Sequence, residues 1–70
     1  MTLFTIQTQI GGQTYYVREL TDNSGLFHML TPVEYASTYF DSRIAASVAL
    51  DWCERDFKGM EFEIIEEKLK

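Results

Sequence analysis

Several residue types are scarce in this sequence, and each scarcity excludes a class of protein. The single cysteine, Cys53, cannot close an internal disulfide, which excludes the secreted domains that disulfides hold together. One cysteine and one histidine, His28, also fall short of the four ligands of a structural zinc site. One proline and four glycines leave no flexible linker, so we expect residues 1–70 to form a single domain.

The chain also lacks a long hydrophobic run. The longest uncharged stretch of its helical part, 44–50, is far shorter than the roughly 20 apolar residues that span a bilayer. No basic patch precedes an apolar run near the start of the sequence, so no secretion signal is expected. These absences predict a cytoplasmic protein without membrane contact.

Basic residues are the third scarcity. Six Lys and Arg stand against eleven Asp and Glu, which gives a net charge of −5. A negative chain is repelled by phosphate backbones and by anionic lipid headgroups, so we expect no direct binding to nucleic acid or to a membrane. Eleven of the seventeen charged residues lie in 51–70, and the acidity is therefore concentrated there.

The sequence does contain enough apolar side chains for a folded core. Its 46% hydrophobic share and ten aromatic residues are too high for a disordered chain. A chain of 70 residues buries only about 60% of the surface that its unfolded form exposes, which permits one small core. An enzyme with a cleft between two lobes is excluded.

A β-hairpin is the clearest local prediction. Residues 3–10 alternate between apolar and polar side chains, Gly11-Gly12 suits a two-residue turn, and 13–20 reads as the return strand. Opposing residues share a face of the sheet, so this register separates an apolar side from a polar side. It predicts the pairs Ile10–Gln13, Thr8–Tyr15, Ile6–Val17 and Phe4–Glu19.

The rest of the chain predicts a strand, two helical segments and a closing strand. Residues 26–30 form a short apolar strand in which Phe27 and Met29 face inward and His28 is partly exposed. Thr31-Pro32-Val33-Glu34 has the pattern of a capping box and predicts a short helical turn to about Ala36. Residues 60–65 form the last strand, and 66–70 a frayed tail.

The main helix is predicted from a cap at Asp41 or Ser42 to about Asp56, with Gly59 ending the segment. Its apolar residues recur at helical spacing, and we expect this stripe to face the sheet with Trp52 covering one end. The stripe comprises Ile44, Ala45, Val48, Ala49, Trp52 and Cys53.

This element order predicts an α+β fold of the form β-β-β-α-β. A three- or four-stranded, mainly antiparallel sheet with one main helix packed on one face buries every apolar stripe. The last strand lies beside the first in this arrangement, and either direction of pairing satisfies the pattern.

Motifs for catalysis and for cofactor binding are lacking. The paired glycines open no helix and no Gly-Lys-Ser/Thr follows them, and no nucleophile elbow surrounds any serine. We therefore predict a non-enzymatic protein with no catalytic, metal or cofactor site. His28 is interpreted as a structural strand residue and Cys53 as a small buried hydrophobe.

Surplus aromatic residues provide the main functional hypothesis. One helix covers one face of a small sheet, so some aromatic side chains should remain accessible, and tyrosine and arginine are enriched at protein interfaces. We interpret the chain as a protein-interaction module that binds a protein partner or itself, the latter as a homodimer. The predicted contact residues are Tyr16, Arg18, Tyr35, Tyr39 and Phe40, although Tyr39 and Phe40 could instead close the core.

The acidic residues suggest an alternative. A negative surface can mimic nucleic acid and occupy a nucleic-acid-binding site on a host or phage protein. Carboxylates on a strand can equally form the solvated face that protects a sheet edge. The predicted acidic surface comprises Asp51, Glu54, Glu61, Glu63, Glu66 and Glu67.

Three motifs follow one another along most of the chain: Gly11-Gly12-x-x-Tyr15-Tyr16-Val17, Ala36-x-x-x-Phe40-Asp41-Ser42-x-x-Ala45 and Met60-x-Phe62-x-Ile64-Ile65. Together they resemble small uncharacterised proteins encoded by Gram-positive bacteria and their phages, in which a hairpin precedes a helix entry of this form and a closing strand. The resemblance implies an accessory protein of a phage or mobile element. It implies no activity, cofactor or catalytic residue.

Overall fold

A computed structural model of the chain describes residues 1–68. The strands are β1 (Thr2–Ile10), β2 (Gln13–Asp22), β3 (Gly25–Thr31) and β4 (Phe62–Lys68). A single 3₁₀ turn, Glu34–Ala36, and the helix α1, Arg43–Asp56, lie between β3 and β4. The strands form one antiparallel sheet in the order β3-β2-β1-β4, with the helix packed against it. The predicted α+β fold is confirmed.

The β1–β2 hairpin turns at the two glycines, as predicted. Gly11 and Gly12 have φ angles of 58° and 83°, a region that glycine enters without the steric cost of a side chain. The predicted pairs Ile10–Gln13 and Thr8–Tyr15 are formed, and the ladder continues to Gln7–Tyr16. The two further predicted pairs, Ile6–Val17 and Phe4–Glu19, are wrong because the two strands separate beyond Gln7.

Residues 38–40 fill the gap between the separated strands. The Thr38 N–H donates to the Val17 carbonyl at 3.0 Å, and the Glu19 N–H donates to Thr38 Oγ1 at 2.7 Å. On the other side, Phe40 and Phe4 exchange two backbone hydrogen bonds of 2.8 Å. The segment therefore acts as a short inserted strand and gives partners to backbone groups that the hairpin leaves open.

The closing strand lies beside β1 and runs antiparallel to it. The ladder extends from Thr2–Lys68 to Thr8–Phe62. The prediction of a frayed tail is wrong for 66–68, because β1 is long enough to pair with all seven residues of β4. Residues 69 and 70 of the predicted tail lie outside the described residues.

The helix begins and ends close to the predicted residues. Ser42 is the N-cap, and its side chain accepts a hydrogen bond from the Ala45 N–H at 3.1 Å. The predicted capping box of the earlier helical turn is wrong, since Thr31 Oγ1 accepts instead from the Val33 N–H, two residues on. The turn itself forms without a side-chain cap.

The helix contacts the sheet through the small residues of the predicted stripe, Ala45, Ala49 and Cys53, together with Ala46. Ala46, Ala49 and Cys53 are buried in the core, whose sheet side includes Ile6 and Val17. The prediction that the larger side chains face the sheet is wrong: Ile44 is 79% exposed, Val48 54% and Trp52 47%. Small residues at this spacing let the helix backbone approach the sheet closely, and the larger ones then fall on the flank.

None of the helices within residues 1–68 is long and apolar enough to cross a membrane.

Candidate functional site

Five polar, aromatic and sulfur-containing side chains share the sheet face that points away from the helix. Side chains alternate along strands, so the burial of Phe4 and Phe40 under the helix places Tyr39 on the opposite face. In the β2–β3 register Arg18 faces Met29, and Tyr16 and Phe27 lie two residues before them on the same strands. All four side chains therefore share this face with Tyr39. We call it the open face, and it comprises Tyr16, Arg18, Phe27, Met29 and Tyr39.

The open face is accessible and carries one unpaired charge. Phe27 is 42% exposed, Met29 43% and Tyr39 41%, which is high for large apolar side chains. Arg18 is exposed and forms no salt bridge with any residue in 1–68. Aromatic residues, methionine and arginine are the residue types enriched at protein interfaces.

The structure divides the five predicted contact residues. Tyr16, Arg18 and Tyr39 lie together on the open face, the first two on β2 and Tyr39 on the inserted segment. Phe40 is 8% exposed and packs in the core, so it contributes no contact surface. Tyr35 is 87% exposed and lies in the 3₁₀ turn, which packs against β2 outside the strands and the inserted segment that carry the open face.

Phe27 and Met29 lie on the open face, where the sequence interpretation did not place them. Their predicted inward orientation is wrong, because β3 places His28 inward instead, directly opposite Glu19 of β2. The sequence did contain a signal for this: the hairpin register puts Glu19 on the inner face, where a carboxylate needs a partner. His28 is the one residue of β3 that can supply it.

His28 is a buried residue between two carboxylates, and its predicted partial exposure is wrong. Its side chain is 1% exposed, with Nε2 3.2 Å from Glu19 Oε1 and Nδ1 3.8 Å from Asp56 Oδ2. A carboxylate only accepts, so the bond to Glu19 places a proton on Nε2 and leaves Nδ1 without a hydrogen bond. A protonated ring would face an acceptor on each side. The histidine thus joins β2, β3 and the end of the helix.

Cys53, which lies near Glu19 and Asp56, is a core residue without nucleophilic character. The thiol is fully buried, and burial raises its pKa to about 11, with the negative charges of Asp56 and Glu19 adding to the rise. The thiolate, which is the reactive form, is therefore suppressed at neutral pH. This agrees with the prediction of a small buried hydrophobe.

We predict that Cys53 of the folded protein does not react with Ellman's reagent at pH 8 and reacts completely in denaturant. Because folding raises the pKa of this thiol, its contribution to stability is present below the ordinary thiol pKa. It is lost as pH rises through about 11. Thermal unfolding measured across this alkaline range should show a falling midpoint, and Cys53→Ala should remove this thiol's share of the fall. Fast labelling of the native protein at pH 8 would contradict the burial of this thiol.

A shallow groove of about 790 Å³ lies where β1 extends past the start of β4. Its walls are 7–11 and 59–63. The only side-chain hydroxyl at its base, Thr8 Oγ1, already donates to the Glu61 carbonyl, and Gln7 donates to Glu63 at 2.9 Å. The Thr8 hydroxyl and the Gln7 amide of this groove are thus engaged within the sheet.

The predicted acidic residues do not form one surface. Asp51 and Glu54 lie on the helix, whereas the remaining four lie on or just before β4. Within β4, the side chain of Glu66 alternates with those of Glu63 and Glu67 and points to the other face of the sheet. In residues 1–68 no group of three or more His, Cys, Asp or Glu side chains is placed to hold a metal ion.

Comparison with known proteins gives no relative. No family model, no curated protein and no solved structure matches the chain.

Proposed function

We propose that this chain is a non-enzymatic protein-interaction module of the cytoplasm, and that the open face is its contact surface. The observation that carries the proposal is the combination of Phe27, Met29 and Tyr39, each more than two-fifths exposed, around Arg18, which has no salt bridge within 1–68. Burial of these side chains against a partner would be favourable by roughly 25 cal/mol per Å² of apolar area removed from water.

The geometry of the face supports this function in a second way. Its side chains stand on strands and on the inserted segment, whose backbones are fixed by the ladders and by hydrogen bonds to Val17 and Phe4. A rigid presentation lowers the entropic cost of binding. The resemblance to small phage and Gram-positive proteins is consistent with an accessory protein that acts through binding.

The alternative function, an acidic regulator that mimics nucleic acid, has weaker support. Its motivation is the net charge of −5 and the concentration of carboxylates in 51–70. A mimic of a phosphate backbone needs charges in a regular row, whereas these residues are divided between the helix and both faces of β4. Glutamates along β4 are also typical of an edge strand protected from pairing.

The proposal is tested by capturing partners from the source organism with the tagged unmodified chain and three tagged variants, and comparing their yields. Arg18→Glu should lower the yield of every specific partner at least tenfold, because it reverses the central charge of the open face. Val48→Asp, on the exposed flank of the helix, should leave the yield unchanged. A third variant, in which Glu61, Glu63, Glu66 and Glu67 are changed to Gln, tests the alternative.

The three variants give distinct outcomes. Loss with Arg18→Glu alone supports the open face. Loss with the four-Gln variant alone, together with strong salt dependence of binding, would replace the proposal with the acidic regulator. Equal yields from all variants would contradict both. Circular dichroism of each variant verifies that it is folded.

A further inference from the structure

The two edge strands of the sheet differ in charge. β4, at one edge, contains Glu63, Glu66, Glu67 and Lys68 within seven residues. β3, at the other edge, has the sequence Gly-Leu-Phe-His-Met-Leu-Thr and contains no acidic or basic residue other than the buried His28. Charged residues protect an edge strand from pairing with another chain, and β3 lacks this protection.

The outer backbone groups of β3 are available for pairing. Asp22 and Gly25 face each other across a two-residue turn and so form a hydrogen-bonded pair. Hydrogen-bonded pairs alternate along an antiparallel ladder, so Phe27 and Met29 also bond to β2. The N–H and C=O groups of Leu26, His28 and Leu30 consequently point away from the sheet. Within residues 1–68 no loop donates to them or accepts from them.

The side-chain pattern of β3 is symmetric about His28. If a second copy pairs antiparallel with the two-fold axis at His28, Leu26 faces Leu30 of the other copy and Phe27 faces Met29. Leu26, His28 and Leu30 of one copy then face Leu30, His28 and Leu26 of the other. Each of these three pairs can exchange two backbone hydrogen bonds, which gives six. Phe27 and Met29 of both copies form one apolar strip across the joined open faces.

From this self-complementarity we infer that a second copy of the chain binds β3 edge to edge, giving one continuous eight-stranded sheet. The inference goes beyond the proposed function, since it adds a contact between two copies through the backbone edge of β3 to the partner contact on the open face. His28 does not oppose the pairing, because its ring is held inside each copy by Glu19 and Asp56.

The charge pattern favours this edge over the other one. Pairing of β4 with itself about Ile65 would place Glu63 opposite Glu67 twice, and like charges directly opposite each other destabilise a sheet. Pairing about Ile64 would bring Glu61 opposite Glu67. A β3–β3 dimer opposes no two charged side chains of the strands and leaves the charged β4 edges at its two ends.

The test is a charge swap at the predicted cross-strand pair, read by light scattering on dilution series. The unmodified chain should have the mass of two chains at high concentration and approach one chain on dilution. F27K/M29K and F27E/M29E should each have the mass of one chain, because each opposes like charges at both Phe27–Met29 pairs. An equal mixture of the two variants should regain the mass of two chains.

These outcomes separate the inference from the proposed function. An unmodified chain that keeps the mass of one chain throughout, or two variants that fail to combine, would overturn the β3 dimer. Arg18→Glu is the matched control, because Arg18 lies on β2, one strand inside the proposed contact, and supplies no backbone group to the β3 edge. It should keep the dimer while losing other partners. A dimer that survives both charge-swap variants would place the contact elsewhere.

Discussion

Phe40→Ala should destabilise the protein by about 3 kcal/mol or more, the usual cost of truncating a buried phenylalanine. Phe40 is 8% exposed and packs with Phe4 in the core beneath the helix. The whole domain is expected to be stable by only about 4–10 kcal/mol, given roughly 0.05–0.15 kcal/mol per residue. A large part of the variant population should therefore be unfolded at moderate temperature, as measured by urea denaturation followed by circular dichroism.

Two tyrosines close to Phe40 in the sequence provide matched controls. Tyr35 is 87% exposed and Tyr39 41% exposed, so truncation of either to alanine leaves no cavity. Each should change the free energy of unfolding by less than about 1 kcal/mol, as is usual for surface substitutions. Destabilisation by Tyr39→Ala equal to that of Phe40→Ala would contradict the assignment of Tyr39 to the open face.

The hairpin and the helix limits could be predicted because local signals determine them. Gly11-Gly12 fixes the turn, the alternation of 3–10 fixes the faces, and Ser42 caps a helix that ends near Asp56. These features depend on residues close together in the sequence. The antiparallel order of the sheet follows from the short connections between the first three strands.

Features that depend on distant residues could not be predicted in the same way. The insertion of 38–40 between β1 and β2 requires the hairpin strands to separate, and nothing within either strand signals that separation. The observed orientation of β3 differs from the predicted one because Phe27, His28 and Met29 are all acceptable on either face by hydrophobicity alone. The position of Glu19 on the neighbouring strand decides it, through the bond to His28.

The candidate site was predicted in part for the same reason. Tyr16 follows from the hairpin register, since it pairs with Gln7 on the polar side. Tyr39 and Phe40 are adjacent aromatics, and only the backbone bridge between Phe4 and Phe40 determines which of the two is buried. A tertiary contact thus assigns one aromatic to the core and its neighbour to the surface.

The helix gives the second large expected effect. Ala46→Asp should lower the free energy of unfolding by about 3 kcal/mol or more, because Ala46 is fully buried and an aspartate there would be a charge without a partner. Burial raises the pKa of such a carboxyl above its unfolded value. The deficit should therefore be largest at neutral pH and shrink as pH falls through about 4, below which the neutral form predominates in both states.

Val48→Asp is the control that distinguishes the observed helix orientation from the one that the apolar stripe predicts. Val48 belongs to the predicted stripe but is 54% exposed, so the same substitution should cost less than about 1 kcal/mol there. If the stripe of Ile44, Val48 and Trp52 faced the sheet, the order of the two effects would be reversed. Urea denaturation of both variants at pH 7 and pH 4 decides between the two orientations. The helix takes the observed orientation because three small side chains let it lie closer to the sheet than the larger apolar residues beside them would allow.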